Sequence, residues 1–196
     1  FKADEDGYLR TESGLVMLGW PADDSGSIPL VPRDTADGLV PVQINPNLFQ
    51  GKPTTTIGLG VNLPATETES SAAGTSQQLS VEYFDNLGKS ESVTVEFTPT
   101  VPASGASNEW TMVITDSAQG GAVVGEYTLN FADARIGGGT LQGVTATTGG
   151  AYDSNSGSII VNVQGGPMEI ELGTIGGTGG LSQLSDVFAP LSISKD

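Results

Sequence analysis

Carboxylate pairs are the residues of this sequence best suited to acid–base chemistry, because a glycosidase needs only two of them. Glu169 and Glu171 flank Ile170, so on an extended strand both carboxylates would point to the same face. Glu82 and Glu96 hold comparable positions in two other segments where polar and apolar residues alternate. Since the neighbouring positions are apolar, the pattern predicts that all four carboxylates lie on the solvent faces of half-buried strands.

Other catalytic chemistry is limited by the residue types that the chain lacks. It has neither cysteine nor histidine, which excludes thiolate nucleophiles, disulfides, Ser-His-Asp triads and the commonest metal ligand. Only 6% of the residues are aromatic, whereas a sugar-cleaving cleft normally offers aromatic rings, and we interpret Trp20 and Trp110 as core anchors. The sequence therefore predicts a protein that is not an enzyme and has no catalytic residues.

Acidic turns are the candidates for metal binding. The segment Asp4-Glu5-Asp6-Gly7 begins like a calcium loop, but the later ligands and the bidentate glutamate at the twelfth position are missing. Its composition is typical of a turn, since Asp bonds its own backbone and Gly adopts positive φ without strain. Four further acidic loop residues could gather a cation but are more readily explained as solvated groups: Asp23, Asp24, Asp34 and Asp37. We predict no metal site.

Two glycine-rich segments are the candidates for phosphate or cofactor binding. Residues 137–139 and 176–180 are rich in glycine, but neither lies between a strand and a helix, and neither is followed by Lys-Ser or Lys-Thr. Both are better explained as flexible turns between strands, so no cofactor is predicted.

The net charge of the chain limits the classes of molecule that it could bind. The 196 residues carry 23 acidic and 7 basic side chains, a formal charge of −16, although only 15% of the residues are charged. Such a surface repels phosphate backbones and anionic lipid headgroups, which argues against nucleic acid and membrane partners. No apolar run approaches the 18 residues of a membrane span. The composition suits a secreted or cell-surface protein, and the initial Phe suggests a fragment of a longer chain.

The elements that position these residues are predicted to be strands. Alternating apolar residues mark seven of them after residue 55, in segments 56–63, 79–83, 93–97, 110–114, 127–131, 159–163 and 168–172. Residues 85–88 and 165–167 are predicted turns of hairpins. Short helices are expected at most over residues 46–50 and 181–188. Strands separated by Gly, Ser and Thr clusters predict an all-β protein, either sandwich or barrel.

The periodicity changes near residues 50–53 and predicts two β domains. Before it, short strands over residues 8–10 and 15–18 pair across Ser13-Gly14, an irregular Pro-rich connection follows, and residues 41–45 form a further short strand. After it, residues 51–185 form a larger sandwich or barrel-like domain. The tail, residues 186–196, carries apolar residues without an assignable strand partner and is predicted to return toward the first domain.

Several groups of residues resemble, in the correct order, the axial proteins of the bacterial flagellum and the hook protein family most of all. Residues 1–22 carry F-x-x-D-x-x-G-Y-L followed by G-x-x-x-x-G-W-P-A. The later landmarks are residues 54–64, the hairpin over residues 81–89 with the Asn108-Glu109-Trp110 strand, and residues 180–186. Phe84 stands where that hairpin usually has Tyr.

The resemblance implies a structural subunit of the hook, a flexible self-assembling tube that transmits motor torque to the filament. Residues 1–50 would be the outgoing part of an inner β domain and residues 51–185 an outer domain, with residues 186–196 as the return segment. The implied partners are other hook subunits in the full-length protein and other flagellar axial proteins, and the implied location is the extracellular hook. The helical termini that polymerise in this family are absent, so this segment is expected to be monomeric or weakly associating. The alternative is a secreted cell-surface sandwich that acts as an adhesin or carbohydrate-binding module.

Overall fold

The computed structural model describes residues 1–4, 6–22, 27–28, 35–44 and 52–196. The chain divides into two compact units, Phe1–Gln50 and Gly51–Asp196. The helical turn predicted over residues 46–50, and the acidic residues Asp23, Asp24 and Asp34, lie outside the described residues.

The first unit contains four strands of two residues each among its described residues. Strand β1 (Lys2–Ala3) pairs with β2 (Leu9–Arg10), and β3 (Leu18–Gly19) pairs with β4 (Val40–Pro41), both antiparallel. The predicted pairing across Ser13-Gly14 is also present, since the Met17 amide donates to the Leu9 carbonyl at 2.8 Å. The strand predicted over residues 41–45 is regular only to residue 41 within the described residues, where β4 ends and a bridge between Tyr8 and Gln43 follows. Residue 45 lies outside the described residues.

The acidic turn of the first unit is a structural turn, as its composition predicts. The Asp4 carboxylate accepts hydrogen bonds from the Asp6 amide at 3.1 Å and the Tyr8 amide at 2.8 Å. Gly7 has φ +85°, and a Cβ there would collide with the Ile44 carbonyl oxygen. The turn therefore needs glycine for its backbone angle and for the close approach of the neighbouring segment.

One sheet of the second unit is an antiparallel meander of five strands in the spatial order β10-β9-β8-β7-β6. The strands are β6 (Gln77–Phe84), β7 (Ser90–Pro99), β8 (Glu109–Asp116), β9 (Ala122–Phe131) and β10 (Leu141–Thr148). The predicted hairpin over residues 85–88 is confirmed, because Asp85 Oδ1 accepts from the amides of Leu87 and Lys89, each at 2.8 Å, and Gly88 has φ +76°. Strand β10 was not predicted.

The other sheet is centred on β5 (Thr56–Pro64). One edge of β5 pairs in parallel first with β12 (Gly166–Glu171) and then with β13 (Leu181–Leu184), and its other edge pairs antiparallel with β14 (Ala189–Lys195). Strand β11 (Ser158–Val163) pairs with β12 as the predicted hairpin. Eight of the nine residues of β5 are buried, because it has neighbours on both edges and on its inner face.

A single hydrophobic core lies between the two sheets, which makes the second unit a sandwich. Nearly all the alternating residues that predicted the strands face inward. The most fully buried large side chains are Trp110, Tyr83, Tyr127, Phe97, Ile57, Leu59, Leu63, Met112, Ile114, Leu129, Leu141 and Ile159. The all-β class is confirmed, and within the described residues the helical structure is limited to two 3₁₀ turns, Ala65–Thr68 and Ser117–Gln119.

Two expectations for the last sixteen residues are corrected. The short helix considered for residues 181–188 is wrong: parallel pairing with β5 makes residues 181–184 a strand, with Leu181 and Gln183 buried. The tail also has a strand partner that its sequence did not reveal. Residues 189–195 form β14 on the edge of β5, so most of the predicted return segment is an integral strand of the second unit.

Candidate functional site

The four carboxylates weighed as catalytic groups occupy the outer faces of their strands, as predicted. Glu82, Glu96 and Glu171 are exposed, while Glu169 is half-buried and accepts a hydrogen bond from Ser158 Oγ at 2.6 Å. Neighbouring residues of β12 are buried in the core. The structure therefore gives these carboxylates solvated or hydrogen-bonded positions, and of the four only Glu171 lines a groove.

Glu82 and Glu96 do not form a pair. Glu82 lies across from Ser92, whereas Glu96 lies across from Gln78, at the opposite end of the same hairpin. A hydrogen bond from Ser90, followed by the charge of Lys195, lowers the pKa of Glu82. A carboxylate with a lowered pKa remains ionised and is poorly suited to act as a general acid near neutral pH.

The buried carboxylate of the described residues belongs to Asp116, at the end of β8. It is fully buried and accepts four hydrogen bonds: from Tyr83 Oη at 2.8 Å, the Ala118 amide at 3.0 Å, Gln119 Nε2 at 3.1 Å and the Gln164 amide at 2.9 Å. Tyr83 belongs to the first sheet and Gln164 to the β11–β12 turn of the second. Asp116 therefore joins the two sheets at one end of the sandwich.

The surroundings of Asp116 do not form a reactive site. Burial, and next the hydrogen bond to Asp116, raise the pKa of Tyr83, so this phenol stays protonated and serves as a donor. All four donors point at one acceptor, and the side chain is not accessible to a substrate. The arrangement stabilises the fold, because a buried carboxylate is tolerated only when its oxygens are hydrogen-bonded.

A second buried polar cluster lies at the other end of the core. Trp110 Nε1 donates to Gln183 Oε1 at 2.8 Å, and Gln183 Nε2 donates to Asn108 Oδ1 at 2.8 Å. Trp110 is fully buried and is a core anchor, as predicted, whereas Trp20 is only half-buried. The cluster joins β13 to β8 and accounts for the burial of a glutamine in β13.

Asn62 organises the connection between β13 and β14. Its Nδ2 donates to the carbonyls of Asp186 and Val187, both at 3.1 Å, and its Oδ1 accepts from the Leu184 amide at 3.0 Å. Side-chain hydrogen bonds thus replace the backbone partners that an irregular segment lacks. The loop that leads to β14 is therefore fixed by the side chain of Asn62, which belongs to the central strand β5.

A polar groove of about 520 Å³ lies on the outer face of the second sheet. Its floor is formed by Gly58 and Gly60 of β5, and its walls by Glu171, the serines of β14 and the glycine-rich segment 173–180. That segment connects β12 to β13, and residues 137–139 connect β9 to β10, so both glycine-rich segments are connections between strands. The groove offers hydroxyls and one carboxylate, which is too little for acid–base chemistry.

The described residues offer no other cluster with ligand chemistry. They contain no group of three or more acidic side chains placed to hold a metal ion. No helix among them is long and apolar enough to span a bilayer.

Sequence reasoning missed the residues that join the strands to one another. Along β8, the alternate residues Trp110, Met112 and Ile114 face the core, and Asp116 is the next residue in that series. A carboxylate at an inward-facing position is unusual and could have identified Asp116 from the sequence. Asn62 and Gln183 carry weaker signals, since each is a polar residue with apolar residues before and after it in a short segment.

A family model described as the flagellar basal body protein FlaE D2 domain matches residues 53–196. The flagellar hook protein FlgE of Brucella abortus is 29% identical over 153 residues, which are 78% of this chain and 35% of that protein. FlgE of Salmonella typhimurium is 28% identical over 164 residues, covering 77% of this chain and 38% of that protein. The chain thus spans little more than a third of the length of the curated relatives it matches.

The crystal structure of the Helicobacter pylori flagellar hook protein FlgE2 is similar in fold. It aligns with 100% of this chain and 72% of its own, with a TM-score of 0.57 and 12% sequence identity. At that identity the likeness concerns the fold alone.

Proposed function

Because the chain belongs to the flagellar FlaE D2 domain family, whose model covers residues 53–196, we propose that it is part of a structural subunit of the bacterial flagellar hook. The hook is a flexible, self-assembling tube that transmits the torque of the motor to the filament. The family match is the observation that carries the proposal, and the order of the motifs along the whole chain supports it.

The physical character of the second unit agrees with a mechanical role. Its core is continuous across two sheets, and its buried polar groups, such as Asp116 and Gln183, are hydrogen-bonded to both sheets or to neighbouring strands. The chain as a whole is acidic, but only 15% of its residues are charged, and it is rich in Ser, Thr and Gly. A rigid body of such a composition suits a subunit that moves against its neighbours without reacting with them. The proposal therefore includes that the chain is not an enzyme.

The first unit is proposed to be the outgoing part of an inner hook-type β domain. Among its described residues no hydrophobic side chain is buried. Strands of two residues without a core are not stable alone. Further polypeptide of the natural protein would cover the exposed apolar side chains, which are Phe1, Leu15, Met17, Leu18, Ile28, Val40 and Ile44.

The proposed partners are other hook subunits in the full-length protein and other flagellar axial proteins. Nucleic acid and membrane are not among them, since the net charge of −16 repels polyanions. The proposed location is the hook, outside the cell.

Immunogold electron microscopy with antibody raised against this chain tests the proposal on the bacterium that makes the natural protein. Labelling confined to the short curved segment between cell body and filament is expected. Labelling along the filament would assign the chain to another axial component. Labelling over the cell surface would overturn the proposal in favour of an adhesin or carbohydrate-binding module.

A further inference from the structure

The start of β5 and the end of β14 are joined by one side chain. The Asp196 carboxylate accepts hydrogen bonds from the Thr55 amide at 2.8 Å, from Thr55 Oγ1 at 2.6 Å and from the Thr56 amide at 3.0 Å. The Thr55 hydroxyl, followed by the two amides, holds the pKa of Asp196 at about 2. The carboxylate is therefore ionised at neutral pH and binds the segment that leads into the second unit.

A second set of contacts joins the segment just before β5, and the end of β14, to β6 in the opposite sheet. Thr54 is buried, its amide donates to the Phe84 carbonyl at 3.0 Å, and its Oγ1 accepts from the Phe84 amide at 3.2 Å. Lys195 Nζ donates to the Glu82 carbonyl at 3.2 Å and lies 4.8 Å from the centre of the Phe84 ring. The ends of three strands are thus held together at one end of the sandwich.

Apart from these contacts and its backbone pairing with β5, strand β14 has little burial to hold it. Six of its seven residues are exposed, whereas eight of the nine residues of β5 are buried. Its register shifts between Pro190 and Ser192, and proline cannot donate a ladder hydrogen bond. Few buried apolar contacts and an exposed strand edge are properties of segments that open locally at low free-energy cost.

The direction of the strands determines where opening starts. β5 and β14 are antiparallel, with Lys195 opposite Ile57, so the start of β5 and the end of β14 lie at the same end of this pair. Separation of the two segments at that end would break the backbone hydrogen bonds of the pair one after another. Asp196 lies where the first of these bonds would break.

We propose that Asp196 and Thr55 form a latch that holds β14 on β5, and that β14 is the first strand of the second unit to detach when the latch is removed. The latch holds the segment before β5 and the end of β14 together. This property belongs to the second unit itself and does not depend on the proposed role in the hook.

Hydrogen exchange of the full chain, measured by mass spectrometry, tests the latch with Asp196→Ala. Three hydrogen bonds to a partly exposed carboxylate are lost, so we expect amides of residues 189–196 to exchange about tenfold faster. Exchange in β8 and β9 should be unchanged. Glu96→Ala is the matched control, because it removes an exposed carboxylate from the middle of β7 and should leave β14 at the wild-type rate.

Thr55→Val separates the latch from a general charge effect, since it removes the hydroxyl donor but retains Asp196 and the strand propensity of the position. It should accelerate exchange of β14 by a smaller factor, about threefold, because both backbone donors remain. The proposal is overturned if Asp196→Ala matches Glu96→Ala, or if exchange rises equally in all strands. Either result is independent of where the protein is located in the cell.

Discussion

Replacement of Asp116 by alanine should destabilise the second unit more than any substitution of an exposed carboxylate. In the folded protein Asp116 is the common acceptor for a phenol, a side-chain amide and two backbone amides. Alanine removes the acceptor but leaves the donors in place. A buried donor without a partner costs more free energy than the hydrogen bond contributed, because its hydration is lost on folding.

The magnitude follows from which donors can reach water. Tyr83 Oη is inside the core, and the loss of its partner costs about 1–3 kcal/mol. The amide of Gln164 is only part-buried, and we assign it about 1 kcal/mol. Ala118 and Gln119 are half-buried and regain part of their hydration. Relief from burying a charge offsets some of the total, so the expected loss is about 3 kcal/mol.

Urea unfolding followed by the fluorescence of Trp110 measures this loss. A Trp20→Phe background removes the signal of the first unit, and Trp110 is buried in the core of the second. Glu96→Ala, on the solvent face of the same sheet, is the control and should change the free energy of unfolding by less than about 0.5 kcal/mol.

A double-mutant cycle with Tyr83→Phe tests the reasoning itself. Tyr83→Phe removes one donor and leaves Asp116 with three, so it should cost about 1.5 kcal/mol. In the double variant the unpaired phenol no longer exists, and the two losses should therefore be less than additive by about 1 kcal/mol. Simple additivity, or a loss below about 1 kcal/mol for Asp116→Ala, would refute the view that unpaired donors dominate.

Gly7→Ala should disrupt the first unit, whereas Gly14→Ala should be tolerated at a cost of about 1–2 kcal/mol, because both residues have φ +85° but only Gly7 lies against the Ile44 carbonyl. In the full-length protein, where further polypeptide covers the first unit, loss of exchange protection at the Ile44 amide is expected for Gly7→Ala alone, because that amide donates to the Gly7 carbonyl at 2.8 Å. Equal effects of the two substitutions would contradict this reasoning. The pKa of Asp196, about 2 against an ordinary 3.8, predicts that β14 is held fully above pH 3.8 and is released as the pH falls toward 2. The exchange rate of β14 amides, corrected for intrinsic rates, should rise over that pH range in the wild type. The Asp196→Asn variant should show no such step. If the variant retained the step, the titration would belong to another group, for which Glu82 is the nearby candidate.

Alternation of apolar residues predicts the strands that have one face in the core. All seven segments marked after residue 55 are strands, since each presents its apolar phase to the same cluster. The turn at residues 85–88 was also predictable, because Asp85 and Gly88 have local reasons to be there: the carboxylate accepts two amides within four residues, and the glycine has positive φ. The sequence is sufficient to predict a turn whose hydrogen-bonding partners are only a few residues apart.

The strands that were missed depend on partners far away in sequence. β14 is exposed along almost its whole length, so it has no apolar phase to recognise, and its partner β5 lies more than a hundred residues earlier. Residues 181–184 are a strand because β5 offers an unfilled edge beyond β12. No pattern within residues 181–196 specifies that edge, which is why a helix and an unpaired tail were reasonable expectations from sequence.

The motifs that carried the family resemblance coincide with positions where the structure tolerates few residue types. Gly7 is restricted by its backbone angle and by a neighbouring carbonyl, and Gly88 by its backbone angle. Trp110 combines a large buried ring with a hydrogen bond that Phe could not make. The exposed positions of the same strands carry no such restriction, since a surface substitution usually changes stability by less than about 0.5 kcal/mol. A few short motifs in the correct order can therefore identify the fold, because each marks a position where few residue types are tolerated.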